Sequence, residues 1–195
     1  GAVISTNLST PPTATCGTAD LNLGSLSHDG SGTLLVLCPD VSCGKGHVTT
    51  TSPNVSGILG GWATIGDGTA YSANGNSVLY GTNYATVDAS GNIVNFTNYL
   101  NYASGNLNGQ VSVDDDLLFA PLGPSVITVD NASAGTTTTV NAIKIIPPDS
   151  GSTANYYGIY IGQGNTLRLG QFGGIMKEDR SQDVITIGGV DGSVQ

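Results

Sequence analysis

The residues able to carry acid–base chemistry are few: two histidines, His28 and His47, one glutamate, Glu178, and a short acidic run, Asp114-Asp115-Asp116. A Ser-His-Asp or Cys-His arrangement is defined by geometry rather than chain order, but no Gly-x-Ser-x-Gly elbow presents a nucleophile. His28 lies in a Gly/Ser turn and His47 follows Gly44-Lys45-Gly46, so both read as solvated turn residues. Glycosidase chemistry needs two positioned carboxylates, and the aspartates mostly occupy turn contexts. The enzyme class left is a polysaccharide lyase, with Asp114, Asp115 and Asp116 holding a cation and Arg168, Lys144 or Lys177 as base. That base needs a depressed pKa from burial or neighbouring cations. The acidic run otherwise reads as a solvated loop with weak Ca²⁺ affinity. No phosphate-binding glycine motif is present. The reading is of a protein that is not an enzyme and holds no cofactor, Ca²⁺ apart.

Cys16, Cys38 and Cys43 are the three cysteines. In an exported chain they suggest one disulfide and one leftover thiol. Cys38 and Cys43 can close a small loop around Pro39-Asp40, while Cys16 can take either partner or bridge to another chain. A zinc site from Cys38, Cys43 and His47 lacks the paired C-x-x-C framework. Asn7, Asn54, Asn95 and Asn131 stand in Asn-x-Ser/Thr sequons and are glycosylation candidates. Trp62 and eight tyrosines offer stacking faces for sugars, although such rings also pack in cores or form ladders.

The elements that position these groups are β-strands. Of 195 residues, 29 are Gly and only 10% are charged, so Ser, Thr and Asn supply most of the polar surface. That mixture favours short β-branched strands between tight turns over surface helices. Apolar residues make up 38% of the chain, in runs such as Leu34-Leu35-Val36-Leu37 and Ala142-Ile143-Lys144-Ile145-Ile146, which argues against disorder. None of these runs is long enough for a membrane-spanning helix, so membrane insertion is not expected. The net charge of −9, from 14 acidic and five basic residues, excludes nucleic acid as a natural partner.

Residues 1–20, with Pro11-Pro12, read as an extended N-terminal arm, and 21–195 as one all-β domain. Strands are expected at 21–26, 33–37, 48–51, 139–146, 156–161, 165–169 and 183–187, with a bend entering a strand over 57–65. Trp62-Ala63-Thr64-Ile65 is echoed by Tyr84-Ala85-Thr86-Val87, 22 residues on, about one coil of a solenoid. Asp-Gly and Asn-Gly pairs at Asp29, Asp67, Asn74, Asn108 and Asp191 also suit hairpins, so an antiparallel β-sandwich is the alternative fold. The irregular stretch around 99–123 reads as a loop projecting between coils.

Gly57-Ile58-Leu59-Gly60-Gly61-Trp62-Ala63-Thr64, followed by Tyr84-Ala85-Thr86-Val87-Asp88-Ala89-Ser90-Gly91-Asn92-Ile93-Val94, resembles a segment of bacterial autotransporter-associated β-strand repeat proteins. Leu23-Gly24-Ser25-Leu26, residues 47–51, Thr139-Val140-Asn141-Ala142-Ile143-Lys144-Ile145, Thr166-Leu167-Arg168-Leu169-Gly170 and Gly174-Ile175-Met176 resemble other parts of them. The resemblance spans most of 21–195 and implies a right-handed parallel β-helix at, or released from, a bacterial surface. It brings no catalytic motif. The insertion of 66–82 and the cysteines depart from the pattern.

The chain opens at Gly1 without Met, basic n-region or apolar h-region, and reads as a processed mature chain or an excised segment. The functional expectation is an extracellular structural protein, either part of a longer surface protein or a subunit stacking head to tail on itself into a filament. In the filament, the 1–20 arm adds a strand to the neighbour's sheet and Cys16 locks the contact. An adhesin that binds surface glycans is the second class, and the lyase the third.

Overall fold

The computed structural model describes residues 2–5, 20–37, 47–66, 70–73, 76–79, 81–121, 125–130, 135–147, 157–178 and 185–189, and every regular element among them is a strand. No helix among these residues is long and apolar enough to cross a membrane. The chain divides into two compact units, Gly1–Thr97 and Asn98–Gln195.

The first unit contains β1 (Ala2–Ser5), β2 (Asp20–Asn22), β3 (Leu34–Leu37), β4 (His47–Thr49), β5 (Ala63–Gly66), β6 (Ala70–Ala73), β7 (Asn76–Leu79), β8 (Asn83–Val87) and β9 (Ile93–Asn95). β1, β3 and β5 form one parallel ladder and β2 and β4 a second. Leu34 therefore lies beside Ala63, one coil further along the chain. The beginning of the expected arm is thus part of the sheet of its own chain, with Ala2 opposite Leu34. Successive strands bury Leu34, Val36, Val48, Leu59, Ala63 and Ile65 between coils.

The echo at Tyr84 has a different origin from the one its spacing suggests. β8 does lie beside β5, but antiparallel, with Thr64 opposite Tyr84, and β9 then turns back along β8. Between β5 and β8, in the inserted segment, β6 and β7 pair antiparallel with Ala73 opposite Asn76, and the Asn74-Gly75 pair lies outside the described residues. Similar apolar patterns thus serve two pairing directions, because both need the same alternation of faces.

The second unit is a β-solenoid of about four turns. Its strands are β10 (Leu100–Tyr102), β11 (Gly105–Asn106), β12 (Asp116–Phe119), β13 (Ser125–Val129), β14 (Thr137–Val140), β15 (Ala142–Ile145), β16 (Tyr157–Ile161), β17 (Thr166–Leu169), β18 (Ile175–Lys177) and β19 (Ile185–Gly188). They stack in three parallel ladders, β10-β12-β15-β18, β11-β13-β16-β19 and β14-β17. Parallel pairing throughout is incompatible with the sandwich alternative, whose hairpins pair antiparallel.

The stretch expected as a loop around 99–123 is described over 99–121. It supplies β10, β11 and β12 and buries Leu107, Leu117 and Phe119 in the core with Ile127, Val129, Val140, Ile143, Ile145, Tyr157 and Ile159. Its strands are only two to four residues long and its corners are rich in Asn, so no periodic apolar run marks them. The run expected as one strand over 139–146 breaks at Asn141 into β14 and β15. At that corner Asn141 N–H donates to the Asp115 carbonyl (2.8 Å), tying one coil to the next. Gly173 of the following coil packs so closely on the Asn141 carbonyl that a Cβ there would overlap it.

Candidate functional site

Three places gather the polar and aromatic side chains singled out by the sequence. The first is the bend of unit 1. Gly60 sits at φ 144°, in the region that favours glycine, and a Cβ there would run into the Trp62 indole. This lets the chain turn sharply while Trp62 folds back beside it. His28, exposed on the preceding coil, stacks on the indole at 5.1 Å between ring centroids and 6° between planes. Its Nε2 lies 2.6 Å from the Gly32 carbonyl. His47, the other histidine, lies on the adjacent ladder and meets the Asp20 carboxylate at 3.1 Å, both exposed. The two rings therefore have separate structural partners.

The second place is the acidic run, whose three carboxylates have three different environments. Asp114 is exposed; Asp115 accepts the Ser112 N–H at 2.6 Å; Asp116 is buried in β12 and accepts from Asn141 Nδ2 at 2.8 Å. Burial raises the Asp116 pKa to about 6, the Asn141 hydrogen bond opposes the rise, and the neighbouring charge of Asp115 adds to it. The run does not converge as a ligand set, and no group of three or more His, Cys, Asp or Glu suited to a metal occurs among the described residues. β12 begins only at Asp116, whose carboxylate meets the Asn141 corner, while Asp114 and Asp115 belong to the turn before the strand.

The third place was not anticipated. Lys144 Nζ lies 2.9 Å from Glu178 Oε2, with the two side chains only 6% and 2% exposed, and 5.9 Å from the Tyr99 ring centroid. β15 is covered on both faces, so its lysine is buried like its Ile neighbours. Glu178, following β18, is brought opposite by the Glu178 N–H bond to the Ile145 carbonyl at 2.8 Å. Each charge of the pair is thus met by its opposite in the interior. The remaining candidate bases, Arg168 on β17 and Lys177 on β18, lie on separate ladders of the solenoid.

Of the sequons, Asn54 uses both ends of its amide across coils, Nδ2 to the Val87 carbonyl (2.9 Å) and Oδ1 from the Val87 N–H (2.8 Å). Asn95 is exposed at the end of β9. Asn7, Asn131 and all three cysteines, Cys16, Cys38 and Cys43, lie outside the described residues. Among the tyrosines, Tyr84 and Tyr157 are core residues. Comparison with protein families, curated proteins and solved structures finds no match, so the autotransporter resemblance rests on the residues that carry it.

Proposed function

We propose that the chain is a non-catalytic structural module of an extracellular or cell-surface assembly, a β-solenoid building block that joins copies of itself or forms part of a longer surface protein. The observation that carries this reading is how the polar side chains are used. Asn54 with Val87, Thr50 with the Gly24 carbonyl, Ser52 with Leu26, Asn106 with Asp130 and Asn141 with Asp116 each bond one coil to another. His28, His47, Lys144 and Glu178 are likewise held in pairs with neighbouring side chains. A scarcity of charge and a heavy use of Ser, Thr and Asn suit a secreted scaffold whose stability comes from repeated coil-to-coil bonding.

One observation favours a second reading, a glycan-binding module: the stacked His28–Trp62 pair places an exposed ring over a half-exposed indole. Glycan arrays and lyase assays on acidic polysaccharides test the proposal. The structural reading expects neither binding nor turnover. Saturable glycan binding lost in Trp62→Ala would replace it with the adhesin reading, and turnover would replace it with the lyase.

A further inference from the structure

Lys144 and Glu178 stand as two reactants as well as two counterions. Nζ lies 2.9 Å from Oε2, with the side chains 6% and 2% exposed. The carboxyl carbon, one bond beyond that oxygen, is therefore within about 4 Å of the nitrogen, near the separation from which held reactants attack. The backbone holds both groups in place. β15 and β18 pair in parallel register from Ile143 with Ile175 to Ile145 with Lys177, and the Glu178 N–H donates to the Ile145 carbonyl at 2.8 Å. The surroundings are dry: Ile143 and Ile145 are fully buried on either side of the lysine, and Nζ lies over the Tyr99 ring, 5.9 Å from its centroid. Lys144 is the one buried cation among the described residues, and Glu178 is the single glutamate in a chain whose other acidic residues are all Asp.

We propose that Lys144 and Glu178 condense to an amide, a covalent bond between one coil of the second unit and the next. The ion pair is the form that folding delivers. Transfer of a proton from Nζ to the carboxylate along their hydrogen bond turns it into a neutral amine and a neutral carboxylic acid, leaving no charge in the interior. The amine lone pair attacks Cδ, so that an Nζ–Cδ bond forms and a Cδ–O bond breaks. The leaving hydroxyl takes a second proton from the nitrogen and departs as water. No oxidant, reductant or further reactant is consumed. Exclusion of bulk water favours the condensation and protects the amide from hydrolysis. The bond closes a loop through residues 144–178, and it restricts the unfolded chain as a disulfide does without needing oxidising surroundings.

The proposal goes beyond the structural-module reading and fails separately from it, since a scaffold can lack the bond and a glycan-binding chain can carry it. Mass spectrometry of the natively folded full chain, denatured and reduced before injection, tests it. The wild type is expected one water lighter than its sequence requires. Its tryptic digest should contain a branched peptide, uncut after Lys144 and joined to Glu178. Lys144→Arg keeps the charge but should carry its full sequence mass, with circular dichroism as the check on folding. A wild type at full sequence mass, with cleavage after Lys144 and an unmodified Glu178 peptide, would overturn the proposal without recourse to any variant. So would a loss of water that persists in Lys144→Arg or maps to other residues.

Discussion

Replacing Asp116 with Asn should make the protein more stable at neutral pH, even though the replaced carboxylate is hydrogen-bonded and lies in the interior. Burial raises its folded-state pKa from 3.8 to about 6. In the unfolded chain the carboxyl ionises near its ordinary value, about 3.9. Below that value both states hold the proton. Between there and the folded value the unfolded state binds fewer protons than the native one, so stability falls as pH rises and then levels off above about 6. At about 1.4 kcal/mol per unit the loss amounts to about 3 kcal/mol. The amide of the Asp116→Asn variant still accepts from Asn141 but adds an N–H₂ that needs an acceptor, so the net gain at neutral pH is about 1–3 kcal/mol. The assay is denaturant unfolding followed by far-UV circular dichroism from about pH 3.5 to 8, comparing variant with wild type so that the other carboxylates cancel. The predicted difference is zero or negative at low pH and grows to favour the variant as pH rises through about 4 to 6. A difference independent of pH, or a variant less stable throughout, would refute the reasoning.

Glu178→Gln should cost about 3–5 kcal/mol by leaving the Lys144 charge buried without its counterion, whereas Lys144→Met with Glu178→Leu should be close to neutral, as chemical denaturation would report. Gly173→Ala should destabilise the second unit by more than the ordinary surface substitution, because its Cβ overlaps the Asn141 carbonyl; a melting temperature equal to wild type would count against the corner geometry. Trp62 is the single tryptophan, so its emission reports on one place: His28→Ala should expose the indole and red-shift the spectrum without changing circular dichroism.

Composition and apolar runs were enough to make the all-β class legible, because Ile, Val and Leu in short runs with Gly and Asn at corners suit strands and tight turns; the stacked parallel coils came from the family resemblance. Pairing direction was not legible. Tyr84-Ala85-Thr86-Val87 has the same alternation whether it starts a new parallel coil or folds back on β5, and only the hairpin between them decides. The first turn of the second unit was hidden for a related reason: Leu107 is separated from Leu117 and Phe119 by a mostly polar, exposed stretch, so no alternating apolar run marks it. Three adjacent carboxylates look alike in sequence, whereas the start of β12 at Asp116 divides them, burying Asp116 against Asn141 and leaving Asp114 and Asp115 in the preceding turn. The Lys144–Glu178 pair did leave a signal, a lysine centred in the run Ala142-Ile143-Lys144-Ile145-Ile146 and a glutamate used once in the chain. Nothing in their spacing joined the two; the register of β15 on β18 does.

Electron microscopy of native material, prepared without denaturant over a range of concentrations, tests the structural-module proposal most directly. The account predicts end-joined particles or filaments that lengthen with concentration and repeat once per subunit along their axis. Single particles of monomer mass under every condition, together with a saturable glycan ligand or catalytic turnover, would contradict it.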